Sequence, residues 1–242
     1  MLYNWNKETF TWFQEASDYT GYNRNLAELI KPYLEGCKTI LDLGCGMGLV
    51  DFELAPDFEE ITCVDISEEP IGYIQNRAAK LGIPNLRAVC ADGGEKENLK
   101  KLIPDLPKDA VLALFHGEVE RIGETYLSYA AKKMILVVHG SAYGTTGPKA
   151  YRVRKCCDVD STRAWLESHG LTYQFQEAEL EFGQPHRSIE DAVAFTRVFT
   201  KNAPDEEIEE YARSHVIETG RDDFPFYTPK IRKFGLFAVD PF

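Results

Sequence analysis

Apolar runs alternate with amphipathic segments along the first half of this chain. The runs that predict short buried strands cover 38–43, 60–65, 86–91, 110–115 and 134–138. The segments between them have helical length, among them 68–81 and 119–132. Strands that alternate with helices predict an α/β fold with a doubly wound, mostly parallel sheet. Such a sheet binds its ligands at the carboxyl ends of its strands.

Both ends of the chain depart from this alternation. Apolar residues three and four positions apart between 4 and 34 predict two N-terminal helices with a break near 18–21. In the last third, 171–181 and 233–239 have the composition of strands. The region between these two strands predicts a helical insertion before the last strand.

The insertion is expected to contain two helices. The first covers 188–199, where Ser188 caps the helix and Asp191 completes a capping box with Asp in place of Glu. The second covers about 204–215. Insertions of this length act as lids, as substrate-binding elements or as interfaces. We expect a lid or acceptor-binding cap over the mouth of the site.

The first predicted strand runs into a turn with glycines at alternate positions. Gly44, Gly46 and Gly48 follow Asp42, and the next strand ends in Asp65, about 20 residues further on. Glycines let a ligand approach the backbone, and a carboxylate can bind both ribose hydroxyls, so this arrangement predicts a site for a ribose-bearing cofactor. A tight turn without a ligand is the alternative interpretation.

The spacing of the glycines distinguishes between cofactors. The dinucleotide pattern G-x-G-x-x-G requires a glycine at the position of Leu49. The observed Asp42-x-Gly44-x-Gly46-x-Gly48 instead resembles the first motif of class I S-adenosylmethionine (SAM) dependent methyltransferases. The resemblance covers about 35–140, and the rest of the chain agrees in the order of elements only.

This resemblance implies cofactor-binding residues at three strand ends. Asp42 would lie near the methionine amino group of SAM, Asp65 would bind the ribose, and Asp92 would accept from the adenine amino group. Asp92 also suits an N-cap or an Asx turn, and both roles can hold together. The other expected cofactor contacts are Gly44, Cys45, Gly46, Ile66, Gly93, Tyr19 and Arg24. For Tyr19 and Arg24, the alternative is a surface position in a helix–helix turn.

The resemblance also implies a seven-stranded sheet with an antiparallel closing strand. It divides the chain into an N-terminal helical cap (1–34), a SAM-binding domain (35–182 and 233–242) and a helical insertion or lid (183–232).

Composition restricts the partners. The 242 residues fit one α/β domain with an appendage. A formal charge of −12 disfavours nucleic acid as a substrate. Of the six cysteines, Cys63 and Cys90 fall on predicted buried strands and none forms a C-x-x-C pair, which predicts a reducing cytoplasm. Cys156 and Cys157 are interpreted as unpaired thiols in a connecting segment, and a redox-active pair is the alternative. No stretch predicts a signal peptide or a membrane span, and the oligomeric state does not follow from the sequence.

Two histidines at strand ends are candidates for a general base. His116 follows the fourth strand, from which the resembled family usually addresses the acceptor, and His139 follows the fifth. Each could instead be a structural histidine. The chain has Phe115-His116-Gly117-Glu118 where methyltransferases of nucleobase or glutamine amino groups would have Asn/Asp-Pro-Pro-aromatic. The histidines lack the spacing of metal ligands, so we predict no metal.

The sequence therefore predicts a cytoplasmic SAM-dependent methyltransferase. It would act on a small molecule by in-line displacement, with His116 as the catalytic candidate. The alternatives are a non-catalytic SAM-binding or regulatory protein and a nicotinamide-dependent oxidoreductase.

Overall fold

The computed structural model describes residues 5–117, 123, 125–140, 147–151, 157–200 and 202–241. Cys156 and part of the helix expected at 119–132 lie outside these ranges. The strands are β1 Thr39–Leu43, β2 Glu60–Asp65, β3 Leu86–Cys90, β4 Lys108–Leu114, β5 Ala130–His139, β6 Tyr173–Glu181, β7 Gln184–His186, β8 Ile217–Glu218, β9 Phe226–Thr228 and β10 Ile231–Val239. The helices are α1 Lys7–Thr20, α2 Tyr22–Ile30, α3 Leu49–Leu54, α4 Glu68–Leu81, α5 Lys96–Leu102, α6 Val159–Ser168, α7 Ile189–Phe199 and α8 Asp205–His215.

The main sheet has seven strands in the order β3-β2-β1-β4-β5-β10-β6. Its first five strands pair in parallel, and β10 pairs antiparallel with both β5 and β6. The predicted fold class, with its antiparallel closing strand, is confirmed. The carboxyl ends of β1, β2 and β3 consequently lie side by side.

The sheet is buried on both faces, which explains the near-continuous apolar strands. Successive residues of β1 belong to different cores: Ile40 packs on the side of α2, α3 and α4, whereas Leu41 packs with α5 and α6. Cys63 lies in the first core and is fully buried. Cys90 is exposed, so its predicted burial is wrong, because β3 is the edge strand of the sheet.

The N-terminal segment forms two helices, as predicted. Asn6 and Thr9 make a reciprocal capping box at the start of α1. The chain turns at Gly21, whose φ of 67° is left-handed. Helix α1 packs against the insertion, because the Trp12 ring meets the Phe195 ring at 5.5 Å and Trp12 Nε1 donates to Asp191 Oδ1 at 3.0 Å.

The insertion contains more than helices. The predicted α7 and α8 are present, but β7, β9 and β8 form a separate antiparallel sheet that periodicity did not predict, because its strands have only two or three residues each. Ser188 caps α7 as expected, yet the Asp191 carboxylate accepts from Trp12 and from the Arg187 backbone. The division into cap, main domain and lid stays a prediction.

The helix predicted at 119–132 is wrong at its C-terminal end. Tyr126–Tyr129 is one 3-10 turn, and β5 begins at Ala130. Residues 130–132, which were predicted to be helical, belong to β5 because Ala130 pairs with Lys108 of β4. Among the helices that the structure describes, none combines the length and the apolar character needed to cross a bilayer.

Candidate functional site

The glycine turn at the end of β1 is held against β2. Gly44 N and Cys45 N both donate to Val64 O, at 2.8 and 3.1 Å. Gly44 and Gly46 have φ values of 70° and 53°, which L side chains rarely adopt. The turn therefore presents its backbone at the carboxyl edge of the sheet, where the parallel topology predicts a ligand.

The missing side chains of the glycines make room for protein side chains. A Cβ on Gly44 would lie 2.1 Å from His116 Cγ, and a Cβ on Gly46 would lie 3.0 Å from Trp5 Cζ2. The sequence assigned this space to the cofactor alone. Trp5 and His116 therefore border the turn and belong to the candidate site.

Asp65 is tied directly to the glycine turn. Its Oδ2 accepts from Gly46 N at 3.0 Å, and its Oδ1 accepts from Ser67 N at 2.9 Å. The residue is half-buried, so its carboxylate can accept further hydrogen bonds from a ligand. The next residue, Ile66, is 49% exposed and offers an apolar side chain at the same strand end.

Asp92 forms the Asx turn that the sequence offered as its structural role. Its Oδ1 accepts from Gly94 N at 2.8 Å, and the residue stays half-buried. Gly93 packs against the end of β1, since a Cβ there would lie 2.9 Å from Leu43 Cδ2. Tyr129 Oη donates to Gly93 O at 3.2 Å. The loop after β3 is thereby held beside the glycine turn.

Asp42 and Cys45 lie beneath the turn. Asp42 is 2% exposed, and burial together with the nearby charge of Asp51 raises the pKa of its carboxyl well above the usual value. Burial also raises the pKa of the Cys45 thiol to about 12, so the thiol stays neutral at pH 7. The sequence did not predict a role for Asp51, because an acidic residue in the first turn of a helix such as α3 is common and needs no other explanation.

His116 is held at the edge of the site by an aromatic partner. Its Nε2 lies 3.2 Å from Tyr126 Oη, and the two rings are nearly parallel at 7°. Tyr126 is 1% exposed, whereas the His116 side chain is exposed. Phe115 precedes it with a left-handed φ of 55°, and the Arg232 guanidinium lies 3.6 Å from the Phe115 ring centroid. These contacts fix the turn that aims His116 at Gly44.

The other candidates lie differently. His139 is 4% exposed, with its ring 4.9 Å from that of Phe115. Arg24 is 73% exposed and lies 3.7 Å from Glu53. Tyr19 stacks on Tyr227 of the insertion at 4.9 Å. In the described part of the chain, Tyr19 contacts the insertion and Arg24 contacts Glu53, so their cofactor roles stay predictions.

Residues 40–134 match a family model described as a methyltransferase domain. The chain contains a class I SAM-dependent methyltransferase domain. The matched region runs from β1 into the first half of β5 and includes the carboxyl ends of β1 to β4. SAM is the cofactor of this family.

Two curated relatives of this methyltransferase domain are similar over part of their length. One is the 23S rRNA (uracil(747)-C(5))-methyltransferase RlmC of Vibrio vulnificus, 27% identical over 113 residues, which cover 45% of this chain and 29% of that protein. The other is a tRNA (guanine-N(7)-)-methyltransferase of Saccharophagus degradans, 33% identical over 78 residues, which cover 31% of this chain and 33% of that protein. The alignments therefore span only about a third of each relative.

Among solved structures, the YcgJ protein of Bacillus subtilis has the same fold as this chain. The TM-score is 0.53 at 16% identity, with 90% of this chain and 98% of that chain covered.

The residues at the strand ends fit SAM. Asp42 Oδ1 is buried and has no hydrogen-bond partner within the described part of the chain, so it can accept from an ammonium group. Asp65 and Asp92 present carboxylates at two adjoining strand ends, as an adenosyl group requires. The individual contacts to the cofactor, and the absence of a metal, stay predictions.

Proposed function

We propose that this methyltransferase transfers the SAM methyl group to a small-molecule acceptor. The observation that carries the proposal is the hydrogen bond from Gly46 N to Asp65 Oδ2, at 3.0 Å. It joins the ribose-binding candidate to the turn that would hold the amino-acid arm. Asp65 and the glycine turn thus form one hydrogen-bonded unit. This unit offers hydrogen-bond acceptors to both the ribose and the amino-acid arm of SAM.

In this proposal, each strand end has one task toward the cofactor. Asp42 binds the ammonium group, Asp65 binds the ribose hydroxyls and Asp92 accepts from the adenine amino group. Ile66 covers the adenosyl group, since it is exposed and lies in the connection between the end of β2 and the start of α4. The smaller residues of the set bring the backbone close to the cofactor: Gly44, Cys45, Gly46 and Gly93. SAM supplies an activated methyl group on a sulfonium, so the protein's work is alignment and exclusion of water.

His116 is the proposed general base. The His116 ring packs against Gly44, and its Nε2 lies within hydrogen-bonding distance of Tyr126 Oη. The tautomer of the ring decides whether Nδ1 or Nε2 takes the proton from the acceptor. A hydroxyl acceptor gains from such a base, whereas a thiolate or an amine with a suitable pKa does not need one.

The proposed acceptor cap is built from α1 and the insertion together. Trp12 of α1 packs on Phe195 of the insertion at 5.5 Å between ring centroids. Phe182, which directly precedes the insertion, lies 5.3 Å from Phe13 and 4.3 Å from Tyr22. Trp5 extends this aromatic layer to Gly46. An apolar layer beside the glycine turn suits a small acceptor with apolar surface and excludes water from the reaction.

RNA is the second candidate acceptor, because both curated relatives are named as RNA methyltransferases. The formal charge of −12 favours the small molecule, since RNA binding depends on cationic side chains that contact phosphates.

Methyl-labelled SAM offered with either an ultrafiltered metabolite extract or total RNA tests the proposal. We expect label in the metabolite fraction together with S-adenosylhomocysteine. Incorporation of label into RNA, at a rate that falls steeply with salt concentration, would show that the acceptor is RNA and not a small molecule. SAM binding without turnover on either substrate would indicate the non-catalytic alternative.

A further inference from the structure

Two buried carboxyl side chains lie together beneath the glycine turn. Asp42 is near the end of β1 and is 2% exposed, and Asp51 is in the first turn of α3 and is fully buried. A Cβ on Gly48 would lie 3.4 Å from Asp51 Oδ2, which places that carboxyl directly under the turn. The two carboxyls are within hydrogen-bonding reach of each other.

The pair has few donors. Within the described ranges, no hydrogen bond of ordinary geometry reaches Asp42 Oδ1, Asp51 Oδ1 or Asp51 Oδ2. The nearest donors are the Asp51 backbone N–H and the Cys63 thiol, which lower the pKa of Asp51 less than burial raises it. Two buried carboxylates with so few donors would be very costly. One proton shared between them removes a charge and supplies the missing donor, as in other close carboxyl pairs.

Among the described residues, no cation is one of the groups that shift the pKa values of this pair. The titratable groups that face the pair are Asp65 and Cys63 of β2 and Cys45 of the turn, and His116 lies on the other side of Gly44. Burial raises the pKa of both thiols, so they remain neutral. Burial raises the pKa of both Asp42 and Asp51, which agrees with a retained proton.

We propose that Asp42 and Asp51 share one proton in the free protein and release it to solvent when the ammonium group of the cofactor binds beside Asp42. This inference rests on the proposed function. Asp51 is fully buried and acts through Asp42, so it is a positioning residue. An arriving cation stabilises the doubly ionised pair, and a proton leaves. Cofactor affinity therefore rises with pH while the free pair is protonated, by at most about tenfold per pH unit.

Calorimetric titration with S-adenosylhomocysteine at pH 7 tests the proton release. This product keeps the ammonium arm and is not turned over. Phosphate and Tris differ in ionisation enthalpy, so the difference in heat between them counts the protons released. The ligand's own amino group contributes equally for every variant. Asp51→Asn supplies an amide donor to Asp42, which is then ionised before the ligand arrives.

We expect wild type to release about 0.5 to 1 proton more than Asp51→Asn. Asp160→Asn, an exposed first-turn acid of α6, should behave as wild type. Equal proton release by wild type and Asp51→Asn, with binding heat intact, would overturn this inference and leave the proposed function standing. Absence of binding heat in wild type would overturn both.

If Asp51→Asn does not fold, infrared difference spectroscopy of wild type decides. Binding of S-adenosylhomocysteine must remove a protonated-carboxyl stretching band. A spectrum without that loss overturns the shared proton.

Discussion

The contact between Gly44 and His116 gives a quantitative test of the site's geometry. Gly44→Ala places a methyl group 2.1 Å from His116 Cγ and 2.2 Å from Nδ1. Because φ is +70°, the alanine also suffers backbone strain of about 1–2 kcal/mol. Moving the ring adds overpacking of about 1–3 kcal/mol, and the His116–Tyr126 hydrogen bond is lost.

Gly82→Ala is a matched control for the strain. Gly82 has a φ of +66°, and a Cβ there would meet nothing within 4 Å. We expect Gly82→Ala to lose about 1–2 kcal/mol from strain alone. Gly44→Ala should lose more, and it should also lower methyl transfer because the candidate base is displaced.

Urea unfolding of a double-mutant cycle isolates the contact. In a His116→Ala background the ring atoms are gone, so Gly44→Ala should cost only as much as Gly82→Ala. The coupling free energy between the two sites should be about 1–3 kcal/mol. An equal loss of stability for Gly44→Ala in both backgrounds would refute the placement of His116 on the turn.

Three further predictions concern single side chains. His116→Ala should lower turnover about 100-fold or more with SAM affinity intact, and unchanged turnover would show that it is not the base. Burial lowers the pKa of His186 from 6.5 to about 4, so the free energy of unfolding falls as pH drops between these values. His186→Gln should remove about 3 kcal/mol of this pH dependence in urea unfolding, and an equal pH dependence in wild type and His186→Gln would contradict the burial of a neutral imidazole. Trp12→Phe should cost about 1–2 kcal/mol by losing the hydrogen bond to Asp191, and unaltered unfolding would contradict that link between α1 and the insertion.

The sequence predicted most of what depends on local pattern. The five parallel strands and the Gly21 break follow from periodicity and from glycine, and the strand ends bring Asp42, Asp65 and Asp92 to one edge. These predictions succeed because parallel topology fixes where strand ends meet.

Contacts between distant segments could not be predicted. Nothing near Trp5 indicates that its ring meets Gly46, and nothing near Tyr126 indicates that it holds His116. Cys90 is exposed because β3 is an edge strand, a property of the whole sheet. Asp191 has the spacing of a capping box, but its carboxylate accepts a hydrogen bond from Trp12, which is 179 positions away in sequence.

Calorimetric titration of SAM into wild type and Asp65→Ala tests whether the strand ends hold the cofactor. We expect one binding site in wild type and at least about tenfold weaker binding in Asp65→Ala, since ribose hydrogen bonds to a charged group are lost. Glu68→Ala, at the exposed start of α4, serves as the control and should bind like wild type. No heat with wild type, or equal affinity in wild type and Asp65→Ala, would contradict the assignment of the strand ends to SAM.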